Sequence, residues 1–206
     1  MTSGHYLALL RGINVGGRNV IRMSDLKACF ESIGCVNVAS LIQSGNVIFR
    51  YKETDTARLM NKIERALSAR FAYASRVVVL TRAQLASVVE RAPSRFGENP
   101  GKYKYDVIFL RQPLTATAAM KSVSLREGVD AAYKGEGVLY FSRLVSKLTQ
   151  SHLPKIVAMT AYQSMTIRNW NTTMKLLALM DPRSEKLIAK SEAKSQLRLT
   201  GQRYAG

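Results

Sequence analysis

The sequence predicts an α+β fold: two ferredoxin-like (β-α-β-β-α-β) halves with antiparallel sheets, followed by a C-terminal helix. Three observations predict it. Short apolar runs and amphipathic helical patterns follow one another as strand, helix, strand, strand, helix, strand over the first eighty or so residues. A similar order recurs after residue 105. Between the two lies 92–104, rich in proline, glycine and charge, which reads as a boundary.

The elements are justified in order. Tyr6–Leu10 is apolar without alternation, the pattern of a strand covered on both faces. Beyond a glycine-rich loop, Ser24 or Asp25 can cap a helix with Leu26, Phe30 and Ile33 on one face, and Gly34 stops it. Val36, Val38 and Leu41 begin a second strand. Ser44-Gly45-Asn46 is a turn signal in which Gly45 and Asn46 tolerate left-handed backbone, and Val47-Ile48-Phe49 returns as a third strand. Thr54, Asp55 or Thr56 caps a helix carrying Leu59, Ile63, Ala66 and Leu67 in register, and Val77–Leu80 is the fourth strand. Thr81 caps a connecting helix, Ala83–Arg91.

In the second half, Asp106–Leu110 is a strand, Pro113–Val123 a helix, and Val129–Tyr133 with Val138–Phe141 a hairpin. Leu144–Thr160 holds a helical segment around Pro154, Ser164–Ile167 is the last strand, and Thr172–Met180 is a final helix. The plan looks duplicated without clear self-similarity residue by residue. The division is 1–80 for the first half, 81–104 for the connecting helix and linker, 105–182 for the second half with its helix, and 183–206 for a basic extension.

The chain has 206 residues with 31 Lys plus Arg against 14 Asp plus Glu, a formal charge of +17. The excess favours anionic partners: nucleic acid, phosphorylated small molecules or an acidic membrane surface. It is spread along the chain: residues 1–80 hold 11 basic and 5 acidic groups, net +6, so any patch is assembled by folding. No apolar run is long enough to span a bilayer and no secretory h-region follows a basic start. The expectation is a cytoplasmic protein without a membrane partner.

Two cysteines, Cys29 and Cys35, form no C-x-x-C pair, and the two histidines are His5 and His152. No His/Cys/Asp cluster has metal-ligand spacing, so no metal or cofactor is expected. Asp25, Asp106, Asp130 and Asp181 stand apart in sequence, so no catalytic residue can be named.

Two corners carry ligand-binding chemistry. Arg11-Gly12-Ile13-Asn14-Val15-Gly16-Gly17-Arg18-Asn19 leaves the first strand. Its spacing fits neither G-x-x-x-x-G-K-[ST] nor G-x-G-x-x-G. Gly16 and Gly17 still let backbone N–H groups approach an oxyanion, while Arg11 and Arg18 donate paired hydrogen bonds and Asn14 adds an amide. The same glycines also suit a turn that is merely tight. The second corner, Arg168-Asn169-Trp170-Asn171-Thr172, joins a strand to a helix whose positive N-terminus adds to the Arg168 charge. There Asn169 or Asn171 can cap the helix, and Trp170 can stack on a base or pack in the core. Asn46 presents an amide at the turn between them in sequence. Tyr103-Lys104-Tyr105 alternates aromatic and basic groups but lacks the full motif of an RNA-recognition sheet.

These residues carry a family resemblance. Arg11–Gly17 with Met23 and Leu26, then Gln43-Ser44-Gly45-Asn46-Val47, then Thr166–Thr172 with Lys175 and Leu176, resemble in order three blocks of the family called domain of unknown function 1697. The resemblance implies an α/β protein of two ferredoxin-like halves, and it implies no activity. Residues beyond 182 lie outside it.

The leading expectation is a protein that binds nucleic acid or a nucleotide through Arg11, Asn14, Gly16, Gly17, Arg18, Asn46, Arg168, Asn169 and Trp170. One alternative is an enzyme acting on a phosphorylated or carboxylated small molecule in the cleft between halves. Another is an oligomeric scaffold whose motifs serve packing alone.

Overall fold

The computed structural model describes residues 4–13, 20–41, 45–52, 54–72 and 74–181. The first half runs β1 (Gly4–Leu10), α1 (Met23–Ser32), β2 (Val36–Leu41), β3 (Asn46–Tyr51), α2 (Thr56–Phe71) and β4 (Val77–Thr81). Its antiparallel sheet has the order β2-β3-β1-β4. Then comes α3 (Arg82–Glu90). The second half runs β5 (Tyr103–Leu110), α4 (Ala116–Ser122), β6 (Asp130–Gly135), β7 (Val138–Leu144), α5 (Leu153–Ile156) and β8 (Met165–Asn169), with sheet order β6-β7-β5-β8. The chain continues into α6 (Trp170–Leu179).

Side-chain alternation sorts each central strand onto two faces. Tyr6, Ala8, Leu10, Val47, Phe49, Val77 and Val79 meet α1 and α2 in one apolar cluster. The intervening Leu7, Leu9, Ile48 and Val78 join Val107, Phe109, Val138 and Tyr140 of the second sheet in another. Leu85 and Val88 of α3 and Leu176 of α6 complete that shared layer. Ile108, Leu110, Leu139 and Phe141 pack against α4 and α5. The absence of alternation in β1 and β5 therefore has a physical cause: both faces of both sheets are covered.

The shared layer is pinned by polar and aromatic contacts. The Tyr140 hydroxyl donates to the Val88 carbonyl at 2.7 Å, and burial pushes its pKa up. The Phe96 ring meets Tyr105, Tyr140 and Trp170 edge-on.

Local chemistry settles several ends. Asp55 caps α2, its Oδ1 accepting from the N–H groups of Ala57 and Arg58 at 2.9 and 3.1 Å. Thr81 and Gln84 form a reciprocal capping box on α3.

Other expectations are corrected. The helix α1 begins two or three residues earlier than a Ser24 or Asp25 cap requires, with Arg22 at the cap position and no side-chain bond there. Asn46 is the first residue of β3 and not in left-handed backbone; among the described residues of that turn, Gly45 is the one that is. The expected helix within Leu144–Thr160 is a 3-10 turn at Val145–Gln150 and the four-residue α5, followed by a second 3-10 turn at Thr160–Ser164. Pro154 sits in the first turn of α5, where its missing N–H costs nothing. The extension 183–206 lies outside the described residues.

Candidate functional site: the arginine seam between the halves

β1 and β5 end the same way. Leu10 and Leu110 each donate their N–H to a hairpin glycine carbonyl, Gly45 at 2.7 Å and Gly137 at 2.9 Å. Arg11 and Arg111 each donate theirs to the residue before the neighbouring edge strand, Arg76 at 3.0 Å and Ser164 at 2.8 Å. Both glycines have positive φ, +73° and +67°. The duplication is thus positional, Leu-Arg at 10–11 answering Leu-Arg at 110–111.

Each of these arginines reaches toward the other half. Arg111 grips Glu64 of α2 with both prongs, Nε to Oε1 at 2.9 Å and Nη2 to Oε2 at 3.0 Å. The Val77 N–H also donates to Oε1, at 3.0 Å. Arg76 stands 3.9 Å from the far oxygen. Arg11 lays its guanidinium over the Tyr162 ring, 4.5 Å from the centroid. Its Nε–H is buried without a hydrogen-bond acceptor among the described residues.

Arg168 makes the most bonds across the seam. Its Nε donates to Asn46 Oδ1 at 2.6 Å, and Nη2 to the Leu10 and Gly45 carbonyls at 2.8 and 3.3 Å. Nη1 donates to the Ile167 carbonyl at 2.8 Å. Burial pulls the Arg168 pKa down to about 10, and Tyr162 nearby opposes the shift. The guanidinium therefore stays charged at neutral pH. Buried Asn46 is held from its other end, Nδ2 donating to the Leu41 carbonyl at 3.2 Å.

The seam brings together Arg11, Asn46 and Arg168 of the expected set. Asn169 caps α6, accepting from the Asn171 N–H at 2.9 Å, and Trp170 packs on Phe96 with centroids 5.1 Å apart. Asn14, Gly16, Gly17 and Arg18 lie outside the described residues, as do Gln43 and Ser44. Sequence reasoning missed Glu64, Arg76 and Arg111. The repeated Leu-Arg at the ends of two apolar strands is the signal that could have found Arg111.

Gly45 shows how tightly the corner is drawn. A Cβ there would lie 2.9 Å from Leu10 Cβ and from Ile13 Cγ1, on a backbone that L-residues rarely adopt. Gly45→Ala is expected to cost about 2 kcal/mol, read as a lowered urea midpoint with unchanged slope.

Beside the seam an open groove of about 580 Å³ is lined by Asn61, Glu64, Arg65, Ser68 and Arg76. Ser68 Oγ accepts from the Ser75 N–H at 3.1 Å, which leaves its proton to donate. Two arginines, a hydroxyl and an amide thus face a groove whose one carboxylate is already bound by Arg111.

Other groups are employed elsewhere. Asp106 takes Arg143 at 2.6 Å, Asp181 pairs with Arg82 at 3.8 Å, and Asp130 accepts from the Arg126 and His152 N–H groups. Cys29 and Cys35 are buried, and burial pushes both thiols up, Cys35 to about 12, which removes them as nucleophiles. Among the described residues no group of three or more His, Cys, Asp or Glu stands ready to hold a metal ion, and no helix is long and apolar enough to cross a membrane.

Comparison with known proteins adds a family. The model of "Protein of unknown function (DUF1697)" matches residues 3–140, most of the chain. The chain belongs to this family. A solved structure, "conserved bacterial protein SP0830 from Streptococcus pneumoniae", is similar with a TM-score of 0.77. It is 23% identical, and the match covers 87% of this chain and 100% of that one, a likeness of fold. No curated protein matches the chain. In this DUF1697 chain, then, Arg168 bonds Gly45 and Asn46 and also the Leu10 carbonyl just before Arg11.

Proposed function

We propose that this protein binds an anionic ligand, nucleic acid or a nucleotide, at the rim of the seam. Arg11 stands on one side of that rim and the Arg65–Arg76 groove on the other, and Asn14, Gly16, Gly17 and Arg18, which follow Arg11 in sequence, would supply further donors to the ligand. One observation carries the reading: the Arg11 N–H is bonded to the Arg76 carbonyl. The loop rich in Gly, Asn and Arg therefore leaves the sheet beside an open groove that already offers two guanidinium groups. Phosphate oxygens suit such donors, because the arginine fork matches them with paired bonds.

In this reading Arg168, Asn46, Asn169 and Trp170 hold the corner and do not touch ligand. Their bonds inside the protein favour the packing reading for that block. The carboxylate of the groove among the described residues, Glu64, is gripped by Arg111 and the Val77 amide, which favours binding over proton transfer there.

The test is fluorescence anisotropy with a labelled single-stranded oligonucleotide. Binding is expected at about 50 mM salt, weakening steeply toward about 200 mM as counterions are released. Arg76→Gln is expected to weaken it further at unchanged stability. No binding at the lower salt concentration sinks the proposal.

A further inference from the structure

We propose that α2 is a track for a nucleic-acid phosphate backbone, extending the anion site from the seam along the outside of the first half. The inference rests on the ligand class proposed above and names its polymer form and its footprint. A second groove of about 310 Å³, lined by Tyr51, Arg58, Leu59, Asn61, Lys62 and Arg65, adjoins the first. The two share Asn61 and Arg65, so Arg65 is a ridge between them.

The helix places its charge to one side. Arg58, Lys62 and Arg65 follow at i, i+4 and i+7, which puts them on one face. Leu59, Ile63 and Leu67 fill the opposite face and are buried. The acid of α2, Glu64, is buried and neutralised by Arg111. Arg65 meets no carboxylate among the described residues; its Nε donates only to the Asn61 carbonyl, at 3.4 Å. Lys62 lies over the Tyr51 ring and donates to its hydroxyl, which fixes the ammonium without removing its charge. Arg58 has a partner, Asp55 at 3.4 Å, in an exposed pair of small energetic worth.

Geometry selects a polymer. Arg58 and Arg65 are two turns apart, ~10.5 Å along the helix axis. One strand of duplex carries a phosphate every ~3.4 Å of axis, so the track spans about three nucleotides, more than a mononucleotide fills. Chemistry selects nucleic acid over an anionic lipid surface. The outward residues are Ala57, Arg58, Asn61, Arg65, Ala69 and Arg70, and none is a large apolar group that would enter a bilayer interface. Tyr51 is buried with its hydroxyl bonded to Lys62, so no ring is offered for base stacking and the contact carries little sequence preference.

The test compares two charge-matched double variants of the full chain. Arg58→Glu/Arg65→Glu alters the track, and Lys134→Glu/Lys147→Glu alters exposed lysines of the second half by the same charge. Both are checked for folding by circular dichroism and titrated with a labelled oligonucleotide of about 12 nucleotides. The track variant is expected to bind about tenfold or more weakly at low salt, and to lose about 0.7 of log–log salt slope for each phosphate contact removed. The control variant is expected to keep most affinity and the original slope. Equal losses in the two variants overturn the track while leaving the anion-binding reading standing. Absence of wild-type binding overturns both. Single-stranded RNA, single-stranded DNA and duplex form parallel arms, all expected to bind because the contact is with the backbone. A nucleoside triphosphate that displaces the oligonucleotide at equimolar concentration overturns the polymer assignment.

Discussion

Arg168→Met is expected to destabilise the protein by about 3 kcal/mol, because hydrogen bonds from a charged donor contribute about 1.5–3 kcal/mol each and several are lost together. The Leu10 and Gly45 carbonyls and Asn46 Oδ1 would each lose a donor at the seam. Methionine fills similar volume but donates to none of those oxygens, and the Gly45 carbonyl keeps only its bond from the Leu10 N–H. Arg168→Lys separates charge from geometry. A lysine keeps the cation, yet an ammonium on a flexible stem cannot serve two carbonyls and an amide from one planar fork. It should recover less than half of the loss. Chemical denaturation reads both variants. A methionine variant within about 0.5 kcal/mol of wild type contradicts the clamp, since changes of that size are ordinary for surface positions. The Arg168 charge persists through neutral pH, because its pKa stays at about 10. The clamp's contribution should therefore be flat across the neutral range.

Much of the fold was legible because it follows from periodicity. The unbroken apolar run Tyr6–Leu10 announces a strand covered on both faces, and the structure covers it with α1 and α2 on one side and the shared layer on the other. The Thr81 cap is a local signal read directly, and the cap of α2 is read to within one residue, Asp55 being the middle of the three candidates 54–56; Gln84 completes the Thr81 box beyond the expected cap. The region after β7 was less legible. Its helical pattern is short, and it is spent on two 3-10 turns and one turn of α-helix rather than a continuous helix.

The seam was only half legible, for a physical reason. Sequence shows which residues can bind an oxyanion, but not which oxygens will reach them first. Arg168 meets backbone carbonyls from residues more than a hundred positions away, and nothing local marks Leu10 or Gly45 as its acceptors. Nothing local in the sequence distinguishes Glu64 from a solvated helix charge. Its burial depends on Arg111 arriving from the other half. The two Leu-Arg steps become equivalent only when both strands are seen with the same kind of backbone partners.

Glu64 supplies the second large effect, and it separates stability from binding. Glu64→Leu should cost about 3 kcal/mol, since removing one member of a mostly buried ion pair strands the other without compensation. Arg111 would lose both of its carboxylate bonds and the Val77 N–H its acceptor. Adding Arg111→Leu should restore part of the loss, because two apolar groups leave no uncompensated charge between the halves. If the double variant is instead the sum of the two single losses, the pair is not coupled as its geometry indicates. Glu64→Gln keeps the shape and some of the hydrogen bonding, so it should cost less than leucine. It also removes the one carboxylate lining the 580 Å³ groove. The anion there would face Arg65 and Arg76 with no opposing negative charge, and oligonucleotide affinity should rise several-fold at low salt and converge on wild type as salt screens the difference. A Glu64→Gln protein that is less stable yet binds more tightly would assign this carboxylate to holding the halves together. One that loses both stability and binding would mean that the groove depends on the seam for its shape.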